Sequence, residues 1–202
     1  MFLAGAGLFG VSLVLARRPG IDPTEEAIFR AANDAPDGIT IPVRSVMQMG
    51  TFVTVPVRSV MQMGTFGTVP VLSAVALLAR KPRMAAALGI GGTAAWVLAK
   101  QAKRLGGRPR PEGILTDVRT REKINGDLGW PSGHTAVATS IAVTAWHETP
   151  RWSHPFLAVG TATTAFGRMF VGAHLPLDLA GGAGLGMMVS AVARRFPRDR
   201  PT

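Results

Sequence analysis

The 202-residue chain has no cysteine. That excludes disulfides, thiolate catalysis and Cys-ligated zinc, and it leaves the redox compartment undetermined. Charge is scarce too: 17% of the residues are Asp, Glu, Lys or Arg, against about 25% in an average soluble domain. Long, strongly hydrophobic runs are missing, and the mean hydropathy is only +0.25. Met1, Phe2 and Leu3 lack the basic n-region of a signal peptide, so the apolar start reads as a retained membrane helix. Apart from one His–Asp pair taken up below, no carboxylates or histidines stand at metal-ligand spacing.

What is present is 47% hydrophobic, gathered into Ala, Gly, Val and Leu runs with Arg and Lys between them. That pattern predicts a multi-pass membrane protein. The small residues suit helices that pack closely on each other in lipid. The net charge is +10, but the basic residues sit at the ends of apolar runs. The positive-inside pattern and contact with anionic lipid account for them, and no nucleic-acid partner is expected.

The length suits one domain, residues 1–202. The fold class expected is all-α, a membrane bundle of about six transmembrane helices. Apolar runs cover residues 1–16, 59–79, 84–99, 134–146, 155–171 and 175–192. A short interfacial helix is expected from Asp22 to Ala32, and residues 112–130 read as a polar loop. Basic turns at Arg80 to Arg83, at Arg151 and from Arg194 then fall on one side, which the positive-inside rule makes cytoplasmic. Arg17, Arg18, Arg119, Arg121 and Lys123 lie on the other side and weaken that assignment. Residues 42–55 (PVRSVMQMGTFVTV) recur at 56–69 as PVRSVMQMGTFGTV. Two copies cannot stack into a solenoid. The first copy is surplus to the span, and Pro56 would kink a helix running through it.

Three short stretches carry chemistry. Residues 103–111 read KRLGGRPRP; Lys103 and Arg110 are candidate phosphate-binding cations, Lys as a point charge and Arg as a fork. Pro131, Ser132, Gly133 and His134 precede an apolar helix. Ser132 can cap it, the Gly133 amide can point at an anion, and His134 can donate a proton to it. Residues 168–178 read RMFVGAHLPLD. There Asp178 stands four residues after His174, one helical turn away, where it can fix the imidazole tautomer and free the other nitrogen to attack. Pro176 is tolerated in a first turn, so a helix is expected to begin near His174. Arg168 can add a third cation. Each stretch alone has a plainer reading: an interfacial histidine with its partner, an ordinary N-cap beside a chance histidine, and juxtamembrane charge. For Lys100, Arg104 and Arg108 the juxtamembrane reading is preferred. The three together, each at a helix end and on one face, suffice for phosphoryl transfer through a histidine.

With these residues in order, the chain resembles the type 2 phosphatidic acid phosphatase (PAP2) superfamily, which also contains vanadium haloperoxidases and bacterial acid phosphatases. Lys103, Arg110 and Pro111 match its first motif, Pro131 to His134 its second, and Arg168, His174 and Asp178 its third. Gly167 stands where the family usually has serine. The resemblance covers residues 57–192. It implies that His174 attacks phosphorus, Asp178 orients it, and His134 protonates the leaving oxygen and then activates water. It further implies that Lys103, Arg110, Arg168, Ser132 and Gly133 hold the phosphate, with no metal or cofactor. The function implied is that of a cell-membrane lipid phosphate phosphohydrolase with an extracytoplasmic site. Its substrate would be phosphatidate, phosphatidylglycerol phosphate, or a prenyl phosphate or diphosphate. The alternatives are a vanadate-dependent haloperoxidase and a non-catalytic protein that binds or moves lipid phosphates.

Overall fold

The apolar runs fold as helices, and proline and glycine set where most of them start and stop. A computed structural model describes residues 1–39 and 67–196. Among these residues are seven α-helices: α1 Phe2–Ala16, α2 Pro23–Asn33, α3 Thr68–Leu78, α4 Pro82–Gly106, α5 Gly133–Trp146, α6 His154–Phe170 and α7 Pro176–Ala193. The described residues are thus all-α, as expected; the one departure is an isolated bridge between Pro109 and Leu128. Proline occupies the first turn of α2, α4, α6 and α7, where its missing N–H has no helical partner to lose. Asp22 caps α2 by accepting the Thr24 N–H at 2.9 Å. Most of the duplicated segment lies outside the described residues; only its last residues, from Gly67, lead into α3.

The fourth helix runs further than the apolar run at 84–99 suggested. It continues through Lys100, Lys103 and Arg104 because Lys, Gln, Arg and Leu are good helix formers and cations favour the negative end of the dipole. It stops at Gly107, which takes the left-handed conformation with φ 60°. Lys103 therefore rides on the last helical turn instead of in a loop.

The last helix, α7, is the hub. It packs on α1, α5 and α4, and α6 lies outside against α5 and α2. The approach is close enough to require glycine. A Cβ on Gly182 would stand 2.4 Å from the Ser132 carbonyl oxygen, and one on Gly184 would stand 2.6 Å from the Phe9 nitrogen. Val69, Ala95, Ala99, Ala136, Val137 and Leu185 form the core where α3, α4, α5 and α7 meet. Trp130 is fully buried. It packs 4.8 Å from the Phe9 ring and donates to Ser12 Oγ at 3.2 Å, which pins the turn ahead of α5 to α1.

By length and mean hydropathy, one described helix, α7, is long and apolar enough to cross a membrane; Phe2–Ala16 and Thr68–Leu78 are apolar but shorter. These two measures do not reach the expected six spans. Inward-facing hydroxyls are part of the reason. Thr135, Thr139, Ser140 and Thr144 of α5 are buried, and the Thr144 and Ser190 hydroxyls bond each other at 2.9 Å, so polar side chains lower hydropathy without facing outward.

The helices form a bundle with two distinct ends. At one end Arg17 donates to the Leu105 carbonyl at 2.8 Å, and the Ser132 N–H bonds the Asp178 carbonyl at 2.9 Å. At the other, Lys81 reaches the Glu148 carbonyl at 2.9 Å, and Trp146 stacks on His154 at 4.0 Å. The close packing makes a prediction. Gly182→Ala is expected to destabilise the chain by about 1–3 kcal/mol, read as a lowered thermal midpoint in detergent; an unchanged midpoint would contradict the α5–α7 approach.

Candidate active site

Three helix ends build the site. The first is the start of α7. His174 sits in the segment before the helix, Leu175 is the N-cap, and Pro176 is the first helical residue. Asp178 folds back so that its Oδ2 accepts the Leu175 N–H at 2.9 Å. The same oxygen lies 3.4 Å from His174 Nδ1, although the contact lacks the alignment of a hydrogen bond. The sequence placed these two on one helical face. The structure brings them together differently, by the fold-back of a helix cap, since His174 is not helical. His174 is 3% exposed and Asp178 0%, so both are sealed from bulk water.

The second is the start of α5. Ser132 is its N-cap, and its Oγ accepts from the Thr135 N–H at 3.4 Å and the Thr135 hydroxyl at 3.1 Å. Gly133 and His134 are the first two helical residues, where backbone N–H groups lack helical acceptors. The charges that act on the His134 imidazole are those of Arg168, His174, Arg110 and Lys103.

The cations come from the end of α4, the loop after it and the end of α6. Lys103 Nζ donates to the Leu128 and Gly129 carbonyls at 2.7 and 3.0 Å. Arg110 donates to the Gly126, Ala173 and Asn125 carbonyls at 2.6, 2.8 and 3.0 Å. These bonds use two of three lysine protons and three of five arginine protons, so both side chains are held in place with donors to spare. Arg168 pairs with Glu122 through Nη1, while its Nε is buried without a hydrogen-bond partner. All eight residues singled out from the sequence thus lie at one end of the bundle.

Burial, together with the charges of Arg168, Lys103 and Arg110, holds the His174 imidazole well below the usual histidine range. A neutral ring keeps a lone pair, which a nucleophile needs.

Other residues at this end escaped the sequence reading. Arg108, read as plain juxtamembrane charge, is instead buried and paired in a fork with Glu25 at 2.7 and 2.6 Å. Glu25 lies unmarked within the short helix expected from Asp22 to Ala32. Its signal was present: Glu25, Phe29 and Ala32 share the buried face of α2 at spacings of one and two turns. Asn33 donates to the Arg119, Met169 and Phe170 carbonyls, and Arg121 to the Asn33, Phe170 and Ala35 carbonyls. These bonds tie the 112–130 loop to α2 and to the turn before His174, and their long sequence separations left no local signal.

One solution measurement checks the electrostatics. The His174 ring, assigned by loss in His174→Ala, is expected to remain neutral, with a proton on only one nitrogen, at pH 6.5 in a histidine NMR titration of the free protein. A midpoint at or above that pH would contradict burial among three cations.

Residues 83–201 match the model of the PAP2 superfamily. Among curated proteins, the chain is similar to the undecaprenyl-diphosphatase of Sulfolobus acidocaldarius, at 27% identity over 105 residues, which is 52% of this chain and 51% of the relative. The matched stretch therefore spans about half the length of that relative. Among solved structures, the chain is similar to Aquifex aeolicus LpxE, with a TM-score of 0.66 at 22% identity over 84% of this chain and 94% of that one. It is also similar to the first transmembrane PAP2 type phosphatidylglycerolphosphate phosphatase from Bacillus subtilis, with a TM-score of 0.70 at 17% identity over 96% and 94%. At those identities the structures speak for the fold. The family-model match covers more than half of the chain and contains all three motifs, and on that ground the chain belongs to the PAP2 superfamily.

Proposed function

We propose that this protein is a membrane-embedded lipid phosphate phosphohydrolase working through a phosphohistidine, without a metal. The observation that carries the reading is the meeting of the buried His174–Asp178 pair with His134 and three cations at one bundle end. His174 attacks phosphorus through Nε2, and the bond from phosphorus to the lipid oxygen breaks. Asp178 holds the Nδ1 proton. His134 passes a proton to the leaving oxygen, then takes one from the water that cleaves the phosphohistidine and releases phosphate. Lys103, Arg110, Arg168, Ser132 and the Gly133 amide stabilise the charge on the phosphoryl oxygens. Gly167 removes one hydroxyl from this shell and no reacting group.

The surroundings favour a lipid substrate. An apolar groove of about 650 Å³, lined by Thr135, Val143, Leu157, Ala165, Leu179 and Ala183 among others, lies between α5, α6 and α7. Its lining includes Thr135 and Leu179, which follow His134 and Asp178 in the sequence. Leu3, Val14, Leu78, Val97, Phe156 and Val159 are exposed on the outside of four helices, which suits a bundle surrounded by acyl chains. We read the chain as one domain of about six spans on this basis. The end opposite the site carries Arg80, Lys81, Arg83, Arg151 and Arg194, which supports an extracytoplasmic site. Arg17 and Arg121, which seemed to oppose that sidedness, have structural tasks: they bond the Leu105 carbonyl and the Asn33 and Phe170 carbonyls. Substrate candidates are phosphatidate, phosphatidylglycerol phosphate, and prenyl phosphates or diphosphates; the relatives are named for a prenyl diphosphate and for phosphatidylglycerol phosphate.

Purified protein in detergent, given these lipids with EDTA present, is expected to release phosphate from one class. His174→Ala should abolish release without changing the thermal midpoint. Activity that survives in His174→Ala would remove the nucleophile, and activity lost in EDTA and restored by a divalent ion would remove the metal-free chemistry. Vanadate, which adopts the trigonal-bipyramidal shape of the transferring group, is expected to inhibit; indifference to it would count against the pocket.

A further inference from the structure

We propose that Glu25 and Arg108 are positioning residues for Asp178 and, through it, for His174. The inference rests on the reading of His174 as nucleophile. Glu25 comes from α2, and Arg108 from the turn after α4. Their side chains, 6% and 4% exposed, meet as two parallel bonds, Nη1 to Oε1 at 2.7 Å and Nη2 to Oε2 at 2.6 Å. The pair is not self-contained. Arg108 Nη1 also lies 3.6 Å from Asp178 Oδ1, an oxygen with no hydrogen-bond partner among the described residues. Glu25 Oε1 also accepts the Leu177 N–H at 2.9 Å. One glutamate thus holds both the cation beside Asp178 and the backbone immediately before it. Glu25 lies outside residues 83–201, the part that the family model matches.

The physical need is specific. Asp178 Oδ2 is committed to the Leu175 N–H and to His174, which leaves Oδ1 desolvated. A buried carboxylate is costly to keep ionised without a compensating cation, and the ionised form is the stronger acceptor for the Nδ1 proton that leaves Nε2 free. The titratable and charged groups facing Asp178 are His174, Arg108, Lys103 and Arg110, with Glu25 behind Arg108. Lys103 and Arg110 are bonded to loop carbonyls, and the cation that stands against Oδ1 is Arg108. Without Glu25, Arg108 would be free to close fully on Asp178 and compete with His174 for it. Outer partners of this kind set the tautomer and aim of the histidine they support.

The test uses the full chain in detergent micelles with ¹⁵N-labelled histidine, because the nitrogen shifts report which ring nitrogen carries the proton. The wild type is expected to show one neutral His174 tautomer, protonated at Nδ1. Arg108→Met and Glu25→Gln should populate the Nε2–H form, and Asp178→Asn serves as the reference for a lost orienter. In phosphate release both variants should lose kcat about tenfold or more with KM unchanged, and the double variant should be no worse than Arg108→Met alone. The acid limb of kcat/KM should move to higher pH in Arg108→Met, because the carboxylate loses its cation. Glu25→Gln keeps the shape of the side chain, so it carries the test if Arg108→Met does not fold. A wild-type tautomer in both variants, or additive losses in the double variant, would overturn the proposal. If Asp178→Asn also leaves the tautomer unchanged, the reading of Asp178 as orienter falls with it. A change in Asp178→Asn alone confines the failure to Glu25 and Arg108.

Discussion

Asp178 is fully buried, one turn into the helix around which the bundle is packed. An isolated carboxylate there would be costly to desolvate, and much of the bundle end that holds the candidate site can be understood as an answer to that cost. Its Oδ2 closes the α7 cap on the Leu175 N–H, and its carbonyl receives the Ser132 N–H at 2.9 Å. Its Oδ1 faces Arg108, which is tied to Glu25. One residue therefore links the starts of α5 and α7 to the end of α4 and to α2. Removing one partner from a buried ion pair typically costs about 3–5 kcal/mol, so these contacts bear on folding as well as on the site.

The surrounding cations follow the same logic in reverse. Lys103 and Arg110 spend part of their hydrogen-bonding capacity on loop carbonyls, which immobilises them before any anion arrives. Cations already in place need little reorganisation when charge develops on a bound group. Burial first, and their combined field with it, hold the His174 imidazole well below the usual histidine range. The groups that would attract a phosphate thus also favour the neutral ring that the proposed attack requires. Arg168 differs: it is paired with Glu122, a loop carboxylate, so a bound anion would have to share or displace that partner.

Tight helix packing makes this arrangement possible. Glycines on two faces of α7 admit α5 and α1 to backbone contact, and buried hydroxyls bond across the helices. Small residues and interhelical hydroxyl contacts are the usual means of helix association where apolar surface drives little. The same composition explains why hydropathy picks out one helix of the seven among the described residues.

The sequence by itself determined the all-α class, the helix starts at proline and the Ser132 cap, and it singled out the eight residues proposed for the site. All of these depend on local chemistry: helical period, capping preference and residue type at short spacing. Tertiary structure decided what depends on partners distant in the chain. The His174–Asp178 contact arises from a cap fold-back and not from a shared helical face, a distinction that spacing alone does not reveal. Arg108 looked like one more juxtamembrane charge because its partner stands 83 residues away, on a helix whose acids looked like ordinary first-turn residues. Arg17 and Arg121 looked unexplained because the groups they bond are backbone carbonyls, which every residue carries and no sequence pattern marks. Burial is what separates a solvated charge from a structural one, and burial is a property of the assembled bundle.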